Sequence, residues 1–317
     1  GLTITTNSSD GLGEFNDGAS YVYTDKNLID KYRANDPDTP YDITAHKVAK
    51  TSGNRGSQDN PYVISSVTEW IRFAKNLDDG SIPNKGSGKF FVLAKNLDFA
   101  GETFHPIRFF NGTFYGMGNK LSNISLTGAE WQYWNGSAYA QIPLSGAESP
   151  FGYGVFCKTT DATITDLIVN TFNYREMVKT GKFTTSRGMS DTGGIIGRSF
   201  GNDVILNCHS AGVISSSIAY DNHNGMGGIV GAHSMTSSSL FVYRCSSKVD
   251  ITTNMNSKWN NHIGGIMGDG HNGGSLRIYD CAANIITTVN SAANSASSAA
   301  VGCVEIQTFY MVNFVGA

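Results

Sequence analysis

Short apolar phrases recur at regular intervals along the second half of the chain. The phrases GGIIG, GGIVG and GGIMG begin at Gly193, Gly227 and Gly264, which are 34 and 37 residues apart, and a partial copy, GVFCK, begins at Gly154. Each full copy is followed by a second apolar phrase that ends in cysteine, such as Ile205-Leu206-Asn207-Cys208. A fixed period of this size indicates stacked structural units.

The second phrase carries a polar column between two apolar columns. With further copies of the phrase at both ends, the polar column comprises Asn123, Asp166, Asn207, Arg244, Asp280 and Asn313. Two places earlier stand Leu121, Ile164, Ile205, Val242, Ile278 and Met311, and one place later stand Ile124, Leu167, Cys208, Cys245, Cys281 and Phe314. Strict alternation would put these two columns on opposite faces of a strand. Because Asn and Asp tolerate left-handed backbone, we predict a corner at which both columns point inward.

Each repeat would then contain about three short extended segments, separated by turn residues and rich in β-branched side chains. Such a repeat describes one coil of a parallel β-solenoid, an all-β fold in which equivalent residues stack about 4.8 Å apart. An array of helical hairpins would need long stretches with a period of 3.6, and the sequence from residue 150 onward contains none.

One amphipathic helix is predicted ahead of the repeats. Ser66 and Glu69 form a capping box, and apolar residues follow at helical spacing, which predicts a helix over residues 67–77. The open end of a solenoid exposes core and strand edges, so we expect this helix to serve as an N-terminal cap. Residues 1–59 are polar with few periodic apolar positions and are predicted to form an irregular lead-in to a β-helix over residues 60–317.

Residues 127–150 form a long insertion between two repeats. An Asn-Gly pair at Asn135 lies among aromatic residues, which is a β-hairpin signal, and we interpret the insertion as an aromatic flap. Exposed aromatic rings beside amides and hydroxyls suit sugars or a protein partner. The candidate ligand-binding residues are Trp131, Tyr133, Trp134, Tyr139 and Trp259. The alternative is that these rings fold back and cover the flank of the repeats.

Residues 60–317 resemble the bacterial surface proteins with GLUG-type repeats. The later glycine phrases resemble the repeat itself. The residues ahead of them resemble the module with which such proteins enter the repeats. The matching residues of that entry module are Asn60-Pro61-Tyr62-Val63-Ile64-Ser65, Trp70, Asn96-Leu97-Asp98-Phe99-Ala100-Gly101, Pro106-Ile107, Phe110-Asn111-Gly112-Thr113-Phe114-Tyr115-Gly116 and Asn119-Lys120-Leu121-Ser122-Asn123-Ile124. The resemblance implies a right-handed, single-stranded parallel β-helix in secreted or cell-surface proteins, including adhesin-like chains and the non-catalytic region of some IgA-cleaving metallopeptidases. No catalytic residue belongs to the repeat in these proteins, so the resemblance implies no catalytic residue in this chain.

Composition narrows the classes of partner. The net charge is −3 and only 15% of residues are charged, so we expect no basic surface for nucleic acid. No apolar run reaches the 18 residues of a membrane span. The five cysteines show no zinc-ligand spacing, and we expect Cys208, Cys245 and Cys281 to behave as small buried hydrophobic residues. The histidines are expected in loops as ordinary polar residues, so no metal or other cofactor is predicted.

No convergent set of acid and base residues is evident, so no catalytic residue is predicted and we do not expect an enzyme. The preferred hypothesis is a non-enzymatic module at the bacterial cell surface that binds an extracellular glycan or a protein of a host or neighbouring cell. One alternative is a polysaccharide lyase or hydrolase, since parallel β-helices often carry such enzymes. Another is a structural spacer in a larger surface protein.

Overall fold

Four parallel β-sheets hold most of the regular structure in the computed structural model of this chain. The structure describes residues 21–23, 46–48, 56–58, 60–127, 130–143, 147, 149–175, 191–216, 224–234, 238–253, 261–271, 274–289, 295–298, 301–304, 308–312 and 315–316. The fold is all-β with parallel sheets, as predicted, and one α-helix lies among the described residues.

The strands are numbered in chain order, and successive strands within each of the four sheets pair with one another. Sheet I contains β11 Gly152–Tyr153, β15 Asp191–Gly193, β19 Asn224–Gly227, β23 Asn261–Gly264 and β27 Ser295–Ser298. Sheet II contains β6 Ile107–Phe110, β12 Phe156–Thr160, β16 Ile196–Phe200, β20 Val230–Ser234, β24 Met267–His271 and β28 Val301–Val304.

The other two sheets are larger. Sheet III contains β3 Tyr62–Ile64, β4 Phe90–Leu93, β7 Thr113–Tyr115, β13 Thr163–Thr165, β17 Asp203–Leu206, β21 Ser239–Tyr243, β25 Ser275–Tyr279 and β29 Thr308–Val312. Sheet IV contains β5 Leu97–Asp98, β8 Lys120–Thr127, β14 Ile168–Arg175, β18 His209–Ser216, β22 Ser246–Thr253, β26 Ala282–Val289 and β30 Val315–Gly316.

The remaining elements are local. Strands β1 Tyr21–Tyr23 and β2 His46–Val48 pair antiparallel, and so do β9 Gln132–Trp134 and β10 Tyr139–Gln141. The α-helix is α1, Val67–Asp78, and a 3-10 helix follows at Pro83–Gly86. The rest of the predicted lead-in over residues 1–59 lies outside the described residues, apart from 56–58.

Each full repeat contributes four strands rather than the predicted three. From β15 to β18 the chain visits sheets I, II, III and IV in turn, and the next repeat does the same from β19. The extra strand arises because the glycine phrase is split by a sharp turn. A Cβ atom on Gly193 would lie 2.0 Å from the carbonyl oxygen of Ile196, so only glycine allows the backbone to approach itself this closely.

The predicted aliphatic column exists in sheet III. Ile164 pairs with Ile205, which pairs with Val242, which pairs with Ile278. All four side chains have 0% exposure. Met311 continues the column by pairing with Ile278. The stacked aliphatic column is therefore confirmed from Ile164 onward.

Leu121, the predicted first member of that column, lies in a different sheet. Ile164 pairs with Phe114 of β7, whereas Leu121 lies in β8 of sheet IV and pairs with Val169. Asn123 has φ 57°, but it lies within strand β8 opposite Thr171 of β14, which has the same φ and forms a bulge against β18. A left-handed residue between two buried aliphatic residues fits a bulge as well as a corner, so the phrase alone does not distinguish them.

The corner itself is confirmed at the later polar positions. Asp166, Asn207, Arg244 and Asp280 have φ between 49° and 54°. The side chain of Asn207 also donates to the carboxylate of Asp166 at 2.7 Å. Asn313 lies outside the described residues.

We expect Asn207→Val to destabilise the protein more than Asn207→Gly. Both changes remove the hydrogen bond to Asp166, but a β-branched residue in left-handed backbone adds about 1–2 kcal/mol of strain, which glycine avoids. Urea unfolding of the two variants measures the difference. Equal midpoints would show that the corner does not need this backbone conformation.

Helix α1 has half of the predicted capping box, because the Glu69 carboxylate accepts from Ser65 rather than from the N-cap Ser66, and the helix is one residue longer than predicted. The Ser66 hydroxyl accepts from the backbone N–H of Glu69 at 3.2 Å, and the Glu69 carboxylate accepts from the Ser65 N–H at 2.6 Å. Trp70, Phe73, Ala74 and Leu77 form its buried face. The helix packs against β3 and β6, the first strands of sheets III and II. It therefore lies at the edge where the sheets begin.

Candidate functional site

The aromatic flap contains the predicted hairpin. Strands β9 and β10 pair antiparallel, with Tyr139 opposite Trp134. The Asn135 side chain accepts from the backbone N–H groups of Ser137 and Ala138, both at 3.0 Å, and Gly136 has φ 101°. This side chain fixes the turn, because asparagine bonds readily to backbone two residues on.

Trp131 is not part of an exposed surface, contrary to the prediction. Its side chain has 0% exposure, and its indole N–H donates to the carbonyl of Arg175 at 2.9 Å. The ring packs edge-on against Tyr153 and Tyr174, with centroids 4.7 and 5.5 Å away. Trp131 instead anchors the hairpin to strand β14. For this residue the alternative prediction holds, in which the ring folds back and covers the flank of the repeats.

Tyr133, Trp134 and Tyr139 are half-buried and lie over helix α1 and strand β6. Lys75 of α1 places its ammonium 4.0 Å from the centre of the Trp134 ring. The Arg108 guanidinium lies 4.0 Å from the centre of the Tyr133 ring. Cation–π contacts of this kind contribute about 0.5–2 kcal/mol each and hold the two rings in fixed orientations.

Asp78, at the end of α1, ties the hairpin to the helix. Its carboxylate accepts from the Arg108 side chain at 3.0 Å and from the backbone N–H of Trp134 at 3.1 Å. Burial raises the pKa of Asp78, and the charge of Arg108 opposes that rise. One carboxylate thus orients both the guanidinium under Tyr133 and the strand that carries Trp134.

Tyr139 stacks on His105, with ring centroids 3.9 Å apart and planes 14° from parallel. Burial lowers the pKa of His105 to about 4, so the imidazole is neutral at pH 7. Tyr139 and Trp134 meet edge to face at 5.3 Å. The structure therefore brings Trp134 and Tyr139 together. Tyr133 is next to Trp134 in β9 but packs against the core, and Trp259 lies outside the described residues.

A buried polar network inside the repeats was missed by the sequence analysis. The Asp203 carboxylate accepts from the Thr159 hydroxyl at 2.7 Å and from the Ser199 hydroxyl at 2.5 Å. Ser199 also contacts Nδ1 of His233 at 2.9 Å, and Ser238 contacts its Nε2 at 3.3 Å. The signal that could have revealed part of the network is that Ser199 and His233 both lie six residues after the first glycine of their phrases. In the structure they share one register position of sheet II with Thr159.

This network has structural partners for each polar group. Asp203 Oδ1 accepts from the backbone N–H of Ala162 in the preceding repeat at 2.7 Å. Asp203 and His233 have 1% and 0% exposure. A general acid or base must reach its substrate, so we assign the network to holding the corner between sheets II and III.

The expectation that histidines lie in loops is wrong for His233 and His262. Both lie in strands and are buried, and His262 Nδ1 is 3.1 Å from the Asp269 carboxylate. Asp191 and Arg198 form a similar buried contact at 3.4 Å. Each pair connects a strand of sheet I with a strand of sheet II. These cross-strand contacts explain why a histidine and carboxylates lie inside the fold.

The cysteine column is buried as predicted. Cys157, Cys208, Cys245 and Cys281 are free thiols with at most 2% exposure. Burial raises the pKa of Cys245 and Cys281 well above the ordinary value of 9.0, which keeps these thiols protonated and unreactive. Within the described residues, no group of three or more His, Cys, Asp or Glu side chains is placed to hold a metal ion.

Asp203 and His233 have opposite effects on the pH dependence of stability. Burial raises the pKa of Asp203 from 3.8 to about 6, so its contribution is present below pH 4 and is lost as the pH rises through about 6. Burial lowers the pKa of His233 from 6.5 to about 4. Its contribution is present above pH 6.5 and is lost as the pH falls through about 4.

We therefore expect Asp203→Asn to steepen the loss of stability between pH 6.5 and pH 4, because the opposing contribution of Asp203 is removed. Asparagine has the same shape and can still accept from Ala162. Urea unfolding of both proteins across this range measures the slopes. Parallel curves would show that Asp203 does not take up a proton in the folded state.

Among the described residues, no helix is long and apolar enough to cross a membrane. Neither a protein-family model nor a curated protein matches the chain. A crystal structure of a "putative immunoglobulin A1 protease" from Bacteroides ovatus is similar over 81% of this chain and 85% of that chain, with 14% sequence identity and a TM-score of 0.39. A likeness at this TM-score carries no argument about the activity of this chain.

Proposed function

We propose that the four parallel sheets close into a right-handed, single-stranded parallel β-helix of the GLUG-repeat type, capped by α1. The stepwise order of strands from sheet I to sheet IV supports this proposal. So do the left-handed corners between sheets III and IV. A β-helix lengthens by adding repeats, and its flank provides an extended surface on which a ligand can bind.

The proposed role is a non-enzymatic module at the bacterial cell surface that binds glycan through Tyr133, Trp134 and Tyr139. The observation that carries the proposal is that two half-buried rings, Trp134 and Tyr139, lie opposite each other on the hairpin, each held by a charged or aromatic partner. Tyr133, the neighbour of Trp134 in β9, is held by Arg108. Flat apolar faces with a hydroxyl or N–H at the edge match the alternating C–H and O–H groups of a sugar. Because the rings are already oriented, little side-chain entropy remains to be lost on binding.

The hairpin surface suits a sugar chain better than a second protein. Stable protein interfaces bury about 800 Å² on each partner around an apolar centre. Trp131, the residue that would form such a centre, is already buried inside the fold. What remains at the hairpin is the half-buried pair Trp134 and Tyr139 beside polar groups.

A glycan array with the protein and the double variant Trp134→Ala/Tyr139→Ala tests this function. Each lost aromatic contact is worth about 0.5–1.5 kcal/mol, so we expect the double variant to bind at least about tenfold more weakly while its unfolding remains cooperative. Tyr279→Ala, which removes a half-buried ring from sheet III, is the matched control. Unchanged binding by the double variant would place the recognition surface elsewhere.

A further inference from the structure

The hairpin rings Trp134 and Tyr133 belong to a longer strip of cations and aromatic rings. The strip has two parts, which are joined where Asp78 accepts from both Trp134 and Arg108. This cation–aromatic strip crosses α1, the hairpin and the first strands of sheet II. Its members are Lys75, Trp134, Tyr133, Arg108, Phe109, Lys158, Phe200 and Arg198.

Beyond the hairpin, cation–π contacts continue the strip along sheet II. Arg108, which lies over Tyr133, is also 4.8 Å from the centre of the Phe109 ring. Lys158 stands 5.8 Å from Phe109 and 4.1 Å from Phe200. Phe109, Lys158 and Arg198 pair in register on adjacent strands, so this part of the strip spans about 10 Å.

Positive charge exceeds negative charge along the strip. Arg108 is paired with Asp78 at 3.0 Å and Arg198 with Asp191 at 3.4 Å. Lys75 and Lys158 form no ion pair with any residue that the structure describes. Asp161 lies at the turn that follows Phe200, where it accepts from the backbone N–H of Asn202 at 2.8 Å.

Lys158 is held in a position that disfavours its own charge. It is half-buried between two rings, and it pairs in register with Arg198, a second cation. Burial and the charge of Arg198 lower the pKa of Lys158. An anion bound beside Lys158 would relieve this repulsion, in the same way as a carboxylate partner does for Arg108.

We infer that the glycan bound by this surface is acidic, with carboxylate or sulfate groups along its chain. This inference rests on the proposed function. Sugar rings would stack on Trp134 and Tyr139, while anionic groups would pair with Lys75 at one end of the strip and with Lys158 at the other. The separation of these two cations along the strip requires a chain of several sugars rather than a single ring.

A short oligogalacturonate and its fully methyl-esterified form are the matched probes, because esterification removes the carboxylate charges and leaves the sugar backbone unchanged. A heparin-derived oligosaccharide serves as the sulfated probe. Calorimetric titration should give binding of the acidic probes at least about tenfold tighter than binding of the ester. Raising the salt from about 20 mM to about 0.3 M should weaken the binding of the acidic probes only.

The double variant Lys75→Gln/Lys158→Gln should lose about tenfold more affinity for the acidic probes than for the ester, whose binding reports any loosening of the Trp134 ring. Lys248→Gln, which removes an exposed lysine from sheet IV, is the control and should bind like the parent. Equal affinity for acid and ester, equal binding by the double variant and the control, or failure of both acidic probes to bind would each overturn the inference. If the parent protein bound acid and ester equally while Trp134→Ala/Tyr139→Ala lost binding of the ester, the preference for acidic glycans would be overturned. The proposed function would remain intact.

Discussion

Val242→Asp should unfold the stacked repeats. Val242 has 0% exposure and pairs in register with Ile205 on one side and Ile278 on the other. An aspartate at this position has no polar partner in the aliphatic column, whether it is ionised or protonated. Losses above about 4 kcal/mol come from such buried unpaired groups, and a typical domain has only about 5–15 kcal/mol of stability.

Circular dichroism during thermal unfolding measures this result. Ile286→Asp is the matched control, since Ile286 is also an aliphatic strand residue but is 61% exposed on β26 of sheet IV. The control should melt close to the parent protein. If Val242→Asp melted like Ile286→Asp, the register of sheet III would be wrong.

Trp70→Ala should cost about 3–5 kcal/mol, the range for removal of a large buried aromatic side chain. The Trp70 ring has 0% exposure and packs against Phe73, Phe104 and Phe114, with centroids 5.4 to 6.1 Å away. Its indole N–H donates to the carbonyl of His105 at 2.9 Å. Truncation therefore opens a cavity and also leaves a buried carbonyl without its donor.

Urea unfolding and light scattering together measure the effect on α1. Thr68→Ala, at an exposed position of the same helix, should change stability little. If the helix covers the first strands of sheets II and III, Trp70→Ala should also promote association through the uncovered edge. A monodisperse Trp70→Ala protein with the stability of Thr68→Ala would contradict the capping role of α1.

The columns of sheet III could be predicted from the sequence because each repeat places one aliphatic residue and one left-handed residue at fixed separation. Asn207 and Asp280 adopt the predicted backbone. Asn123 shows the limit of this reasoning. Its local sequence has the same pattern of apolar and polar residues, but the strand to which it belongs is decided by pairing with β14, which depends on residues far along the chain.

The candidate site could be predicted in part. The Asn-Gly turn and the flanking rings predicted the hairpin, and Trp134 and Tyr139 lie together at its surface. Trp131 differs from them only through long-range contacts, since its N–H donates to the carbonyl of Arg175, 44 residues away. A cluster of aromatic residues in the sequence therefore indicates a surface element. It does not show which of the rings is buried and attaches that element to the rest of the fold.

The buried polar network could be predicted only in part. Ser199 and His233 each lie six residues after the first glycine of their repeat phrases, Gly193 and Gly227, so the period of the phrases already aligns them in sheet II. Asp203 begins the next strand, and no repeat spacing indicates that its carboxylate accepts from Ser199. That contact depends on how the chain turns between sheets II and III.

The most direct test of the proposed function is to recover a bound polysaccharide after prolonged incubation with the protein. A binding surface made of Tyr133, Trp134 and Tyr139, with no accessible acid and base pair, should retain the polysaccharide and return it unchanged in length. Chromatography of the released chain, with assays for new reducing or unsaturated ends, measures this directly. Retention with an intact chain is the expected result, and shortened chains with new ends would contradict a purely binding role by showing a reaction centre.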